Sequence, residues 1–182
     1  MSAPSSVIPT LPQTLLAHAQ NHPQRLAQRV KRKGIWRTYT WSSVFERVRN
    51  IALGAAAQGL QRGETVVVIG ENEPEHFWAL FAAQSLGAKT VSVYPDATPD
   101  ELHYLCEDSE ARFIFAQDQE QVDKALAVLD RLPDIRGIAY WDDAGMWSYR
   151  HPLLLSLDTL SAEGARQHER QPQRFAREVA DG

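Results

Sequence analysis

The chain has little of several residue types on which common protein classes depend. Cys106 is the only cysteine among 182 residues, which excludes an intrachain disulfide framework and fits a reducing compartment. No apolar run approaches the roughly 20 residues that a membrane-spanning helix requires. The first residues lack the cationic and apolar regions of a secretory signal. We therefore expect a cytoplasmic protein without a transmembrane segment.

An excess of positive charge is also missing. Nineteen Lys and Arg residues against 23 Asp and Glu residues give a formal net charge of -4. A dedicated nucleic-acid-binding domain is normally basic overall, so no nucleic-acid partner is expected. A local basic stretch, 25–37, is explained more simply as a charged hairpin edge that discourages strand-to-strand aggregation.

Glycine is scarce where nucleotide-binding enzymes need it. The ten glycines are dispersed and none is followed by lysine, so the P-loop motif is absent. The turn 70–74 has one glycine where a dinucleotide fingerprint needs three, and its two carboxylates would repel a pyrophosphate. We expect Glu71, Glu73 and Glu75 to complement the positive end of the following helix instead.

Motifs for nucleophilic or metal chemistry are equally sparse. No serine lies in a Gly-x-Ser-x-Gly elbow, and Cys106 falls on the apolar side of its predicted helix, as a core residue would. His18 and His22 have the spacing of helical zinc ligands, but Ala19 follows where a metalloprotease has glutamate, and no third ligand is evident. We interpret both as solvated histidines. The residues alone therefore indicate no catalytic, cofactor-binding or metal-binding position.

Hydrophobic periodicity changes along the chain from helical spacing to continuous apolar runs. Apolar residues in 43–59 recur with the spacing of an amphipathic helix, for which Ser43 and Thr40 compete as N-cap. The run 66–69, Val-Val-Val-Ile, is typical of a strand buried on both faces. The elements predicted after it alternate: helix 74–86, strand 90–93, helix 98–108, strand 112–116, helix 118–133, strand 137–141, a short buried piece at 153–155 and helix 158–169.

This alternation predicts an α/β fold, a parallel sheet with helices on both faces. A helix at 11–22 and a β-hairpin with strands 26–30 and 35–39 are predicted to precede the sheet. Residues 1–10 are rich in Ser and Pro and are expected to form a flexible N-terminus. Arg and Glu alternate near the other end, so 161–182 is interpreted as a solvated tail or linker.

An ordered set of short motifs resembles a known family. The set comprises Tyr39-Thr40-Trp41, the capped helix through Gly59, Gly63-Glu64-x-Val66-x-Val68, Glu71-Asn72-Glu73-Pro74-Glu75 and Leu86-Gly87-Ala88. It is similar to the N-terminal part of the AMP-forming acyl-CoA synthetases, in the adenylate-forming (AMP-binding) superfamily. The long-chain fatty-acid–CoA ligase branch is resembled in particular by Val93-Tyr94-Pro95-Asp96-Ala97-Thr98, Glu101, Tyr104 and Asp118-Gln119-Glu120-Gln121-Val122. The similarity covers about 11–160.

The resemblance implies an incomplete N-terminal subdomain of the adenylate-forming fold. A complete family member would use ATP, Mg²⁺ and coenzyme A to convert a fatty acid to acyl-AMP and then to acyl-CoA, and it could associate peripherally with a membrane. The family's Thr/Ser/Gly-rich phosphate loop has no counterpart here, and 161–182 would lead toward its absent position. No catalytic, cofactor-binding or metal residue is carried over. The segment is expected to be inactive alone and to have the remainder of a synthetase as partner.

Two other functions stay open at this point. The chain could be a non-enzymatic interaction module that docks on a synthetase through an unfinished sheet and the helix 74–86, whose apolar residues surround most of its circumference. It could also be an unrelated nucleotide-binding α/β domain, which the alternating pattern alone suggests.

Overall fold

A five-stranded parallel sheet forms the centre of the fold. The computed structural model describes residues 8–181. Its elements in chain order are α1 (Leu11–Asn21), β1 (Leu26–Arg32), β2 (Ile35–Thr40), α2 (Trp41–Ala57), β3 (Thr65–Ile69), α3 (Pro74–Ser85), β4 (Lys89–Val93), α4 (Pro99–Asp108), β5 (Ala111–Ala116), α5 (Gln119–Val128), β6 (Gly137–Tyr140), β7 (Leu154–Ser156), α6 (Leu157–Arg170) and α7 (Arg174–Ala180). The parallel strands are ordered β4-β3-β5-β6-β7, while β1 and β2 form a separate antiparallel hairpin.

The two faces of the sheet bury two separate apolar clusters. Successive strand residues point to opposite faces, so Val66 and Val68 of β3 lie in one cluster, and Val67 and Ile69 lie in the other. The first cluster is completed by α1, α2, α3, α6 and α7, and the second by α4 and α5. The predicted parallel sheet with helices on both faces, preceded by a helix and a hairpin, is confirmed.

The helices α2 and α6 meet through two glycines. A Cβ atom at Gly164 would overlap the carbonyl oxygen of Asn50, and one at Gly54 would overlap the carbonyl oxygen of Leu160. Both positions therefore exclude any larger side chain, because the obstruction is backbone rather than a movable side chain. This close approach locks the last long helix onto the first helical layer.

The hairpin is attached to α3 by polar and aromatic contacts. Trp78 of α3 donates its indole N–H to Oε1 of Gln28 at 2.7 Å. Its ring makes an edge contact with Tyr39, at a centroid distance of 5.0 Å. The guanidinium of Arg47 lies 4.7 Å from the same indole. The hairpin therefore has a defined position against the sheet domain.

Two helix starts show how local chemistry set the boundaries. Oγ1 of Thr40, not Ser43, accepts the hydrogen bond that caps α2, from the Ser43 amide at 3.3 Å. Thr98 and Glu101 form the reciprocal capping box that opens α4, as their spacing predicts. At the N-terminus, residues 1–7 lie outside the described residues, so their predicted flexibility stays a prediction, while Thr10 caps α1.

The described part of 161–182 is not a solvated linker. It contains most of α6 and all of α7, in which Phe175 and Val179 are each 2% exposed. The ring of Phe175 packs edge-on against Phe45 of α2 at a centroid distance of 5.5 Å. Alternating Arg and Glu residues occupy the outer faces of these helices, and that alternation masked the apolar spacing beneath. The domain boundary at residue 160 stays a prediction.

Candidate functional site

The sheet topology singles out one place where a ligand would be expected. From β3 the chain crosses to β4 on one side and then returns to β5 on the other side of β3. The carboxyl ends of β3 and β5 therefore flank a topological switch point, where open α/β sheets commonly bind ligands. The candidate site is this carboxyl edge of the sheet.

Protein side chains fill the crevice at the switch point. Gly70 follows β3 with φ of 151°, and a Cβ atom there would lie 2.7 Å from Cβ of Gln117 and 2.8 Å from Cζ2 of Trp141. The Glu71 amide, which could otherwise face a ligand, donates to Oε1 of Gln117 at 2.6 Å. The crevice thus has no room for a phosphate group between these strands. Sequence reasoning did not identify Gln117 or Trp141, and no local motif marks them.

A buried ion cluster lies beside the crevice. Nη2 of Arg32, at the end of β1, donates to Oε2 of Glu73 at 3.0 Å and to Oε2 of Glu75 at 2.7 Å. Glu73 also accepts from the indole N–H of Trp141 at 3.3 Å. Burial disfavours the charge on Arg32, yet the two carboxylates prevail and raise its pKa. These contacts join the hairpin, α3 and the end of β6.

The cluster corrects the expectation that three glutamates complement α3. Glu75 lies in the first turn of α3, but Glu73, at the N-cap position, makes no side-chain hydrogen bond to the helix. Glu71 is exposed. The carboxylates of Glu73 and Glu75 serve instead as acceptors for Arg32, a cation 41 and 43 residues away in sequence.

His76 is buried next to this cluster, between α3 and β4. It is 4% exposed, and its Nε2 lies 3.3 Å from Oγ of Ser92, while its Nδ1 has no hydrogen-bond partner. Burial lowers the pKa of His76, so the ring is held in its neutral form. A cleft of about 310 Å³ adjoins it, lined also by Phe77, Leu80 and Tyr94.

The carboxyl edge does not fit the triphosphate and Mg²⁺ that the resemblance implies for a complete enzyme. Two cations at this edge are already paired: Arg32 with its two glutamates, and Lys124 with Glu120 at 2.8 Å and the Pro95 carbonyl at 2.5 Å. The other charged groups beside the crevice are carboxylates, which repel phosphate. No group of three potential metal-ligating side chains occurs within residues 8–181.

The remaining residues considered from sequence lie apart from this edge. Cys106 is 1% exposed in the core, as predicted, and burial raises the pKa of its thiol to about 12, which makes it unreactive near neutral pH. His22 is exposed, but His18 is not simply solvated: its ring stacks on Trp41 at a centroid distance of 4.5 Å. Over the described part of the chain, no helix is long and apolar enough to cross a membrane.

Comparison with known proteins agrees with this architecture. The AMP-binding enzyme family matches residues 15–167. A long-chain-fatty-acid–CoA ligase of Xenopus laevis is 31% identical over 108 residues, 59% of this chain and 15% of that protein. One of Mycobacterium bovis is 26% identical over 123 residues, 66% of this chain and 20% of that protein. The chain thus spans a fifth or less of the length of these curated relatives.

Solved structures share the fold at low sequence identity. Acetoacetyl-CoA synthetase from Streptomyces lividans superposes with a TM-score of 0.73 at 21% identity, covering 83% of this chain and 24% of that one. The A-PCP didomain of a carboxylic acid reductase from Segniliparus rugosus, in complex with AMP, gives 0.70 at 18% identity, covering 88% and 27%.

These matches define the class in two steps. The fold is a doubly wound parallel α/β sheet that corresponds to part of the structure of adenylate-forming enzymes. With the family matched over most of its length, the chain belongs to the AMP-binding enzyme family, and the family resemblance noted from its motifs is confirmed.

Proposed function

We propose that the chain is the N-terminal segment of a cytoplasmic AMP-dependent synthetase that activates long-chain fatty acids as acyl-AMP and then as acyl-CoA. The names of the similar ligases support the substrate class, and the family match supports the reaction type. ATP, Mg²⁺ and coenzyme A would be cofactors and substrates of the complete enzyme.

One observation carries the division of labour within that enzyme. The switch-point crevice is filled by Gln117 and Trp141 and bordered by carboxylates, so the residues that hold a triphosphate must come from outside this segment. The segment therefore supplies a folded scaffold, and adenylation requires the remainder of a synthetase as its partner.

Isotope exchange tests this proposal directly. The purified chain should show no fatty-acid-dependent exchange of pyrophosphate into ATP above background. A chimera in which residues 11–181 replace the matching segment of the Mycobacterium bovis ligase should regain exchange, because the scaffold is restored. The intact ligase and the ligase without that segment serve as positive and negative controls. Exchange by the isolated chain, or an inactive but folded chimera, would contradict the proposal.

The filled crevice disfavours an independent nucleotide-binding domain. Such a domain would need space and donors at the carboxyl ends of β3 and β5, where the Glu71 amide is already bonded to Gln117. Calorimetric titration of the isolated chain with ATP, AMP and NAD should give no heat of binding. A non-enzymatic docking role is favoured by a different feature, the open side of β4.

A further inference from the structure

The outer side of β4 is an unfinished surface. Within residues 8–181, β4 pairs only with β3, so it is an edge strand. We define the β4 face as this edge together with the side chains that flank it: Phe77, Leu80 and Phe81 of α3, Tyr94 after β4, and Tyr104 and Leu105 of α4. Resting on the function proposed above, we infer that the β4 face receives a further parallel strand from the synthetase chain that follows α7.

Backbone groups at this edge are free to pair. The Lys89 amide donates to the Glu64 carbonyl at 2.8 Å, and the Val93 carbonyl accepts from the Gly70 amide at 3.4 Å. Residues 89, 91 and 93 therefore direct their backbone groups toward β3. The alternate residues, Thr90 and Ser92, present their N–H and C=O groups to the open side.

An added strand would be covered by apolar surface on both of its faces. On one side, α3 presents Phe77, 38% exposed, with half-buried Leu80 and Phe81 at helical spacing. On the other side, α4 presents Tyr104, 62% exposed. Clefts of about 310 and 440 Å³ lie on these two sides of β4. This environment suits a strand with a continuous apolar run, as in β3, rather than a half-solvated one.

The last described residues lie at the correct end of β4. Arg62 donates to the carbonyl oxygens of Glu178 at 3.0 Å and Asp181 at 3.4 Å, and its guanidinium also lies against Gly87. Gly87 is two residues before β4. A segment continuing from Asp181 is therefore at the amino end of β4, where a parallel neighbour would begin.

The handedness of that connection is also favourable. The β3–α3–β4 unit crosses the face of the sheet that carries α2, α3, α6 and α7, and it moves toward the β4 edge. A path from β7 through α6 and α7 to a strand beyond β4 crosses the same face in the same direction. It therefore has the same sense as the β3–α3–β4 unit, and right-handed crossovers are nearly universal in parallel sheets.

Amide hydrogen exchange at single-residue resolution tests the inference in the chimera described above. In the isolated chain, the amides of Lys89, Val91 and Val93 should be protected, while those of Thr90 and Ser92 should exchange rapidly. In the chimera, Thr90 and Ser92 should slow by at least about 100-fold, since they would be bonded within a central strand. Equal exchange at Thr90 and Ser92 in the two proteins would overturn the inference.

The outcomes separate this inference from the proposed function. An active chimera with unprotected Thr90 and Ser92 would leave the function standing and refute the docking edge. Protected amides in an inactive chimera would do the reverse. Protection of both residues in the isolated chain, together with a concentration-dependent dimer by light scattering, would make a second copy the occupant and also refute the inference.

A pair of proline variants gives an independent readout. Thr90→Pro removes an N–H that faces the open side, so the isolated chain should keep its thermal midpoint, whereas the chimera should lose exchange activity. Val91→Pro removes an N–H directed at β3 and should destabilise both proteins. Equal destabilisation of the isolated chain by the two variants would contradict the assigned direction of the edge.

Discussion

Two regions of the molecule are finished to different degrees. The closed region consists of α2, α6 and α7, where Gly54 and Gly164 allow backbone contact and Phe175 is buried. The open region is the β4 face, where Tyr94 is 81% exposed and an edge strand has no outer neighbour among residues 8–181. The difference teaches that one chain can complete its core while leaving a sheet edge for further structure.

Truncating Phe175 should have the largest effect on the closed region. Phe175→Ala removes a fully buried ring that packs on Phe45, and we expect it to lower the free energy of unfolding by about 3 kcal/mol. Urea denaturation of the purified chain measures this change. A midpoint equal to that of the parent chain would show that α7 is not docked and that the closed region ends at α6.

Filling Gly164 should separate α2 from α6. In Gly164→Ala, overlap with the Asn50 carbonyl costs about 3 kcal/mol, and the better helix propensity of alanine returns about 1, for a net loss of about 2 kcal/mol. The exposed Ala162 on the same helix supplies the control, because Ala162→Gly changes propensity alone. A stabilised Gly164→Ala variant would mean that the two helices are not in backbone contact.

Acid should weaken the molecule through His76, at the border of the open region. Burial lowers the pKa of His76 below its ordinary value of 6.5, so the unfolded chain binds the proton more readily. Stability from this group is full above that ordinary value and falls as the pH drops through it toward the folded pKa.

Replacing the imidazole isolates this contribution. His76→Phe should flatten the pH dependence of the urea midpoint between about pH 7.5 and 5, with His168 and the carboxylates present in both proteins. The pKa of His168 is also lowered by burial, so some dependence should persist in the variant. Identical pH profiles for the two proteins would contradict the assignment of His76.

The smallest effect is expected at the open region itself. Tyr94→Ser should change the stability of the isolated chain by no more than about 0.5 kcal/mol, because the side chain is largely solvated. In the chimera the same substitution should lower the thermal midpoint, since Tyr94 would then be covered. A large loss in the isolated chain would mean that this surface is already occupied, and the contrast between the two regions would disappear.

Predictability from sequence followed the distance over which each contact acts. The helix and strand positions were predicted to within a few residues, because hydrophobic spacing and capping residues such as Thr98 act within one or two turns. The identity of the α2 cap was decided by geometry, since Thr40 and Ser43 are both acceptable cap residues. For α7, surface charges obscured the two buried positions that dock it.

The candidate site was much less accessible to sequence reasoning. The scarcity of glycine correctly argued against a phosphate cradle at the turn 70–74, but it did not reveal what occupies the crevice. Gln117 is 46 residues from Glu71, and Arg32 is 41 residues from Glu73. Contacts over such separations leave no local pattern, since their partners are set by strand order.

The sequence by itself determined the alternation of strands and helices and the burial of both faces of the sheet, because those properties follow from the spacing of apolar side chains along the chain. The tertiary structure alone decided that Gln117 and Trp141 fill the switch point, that Arg32 neutralises the neighbouring glutamates and that β4 lies at an edge. Each of these depends on the order in which strands assemble, and that order brings together residues whose separation in sequence carries no periodic signal.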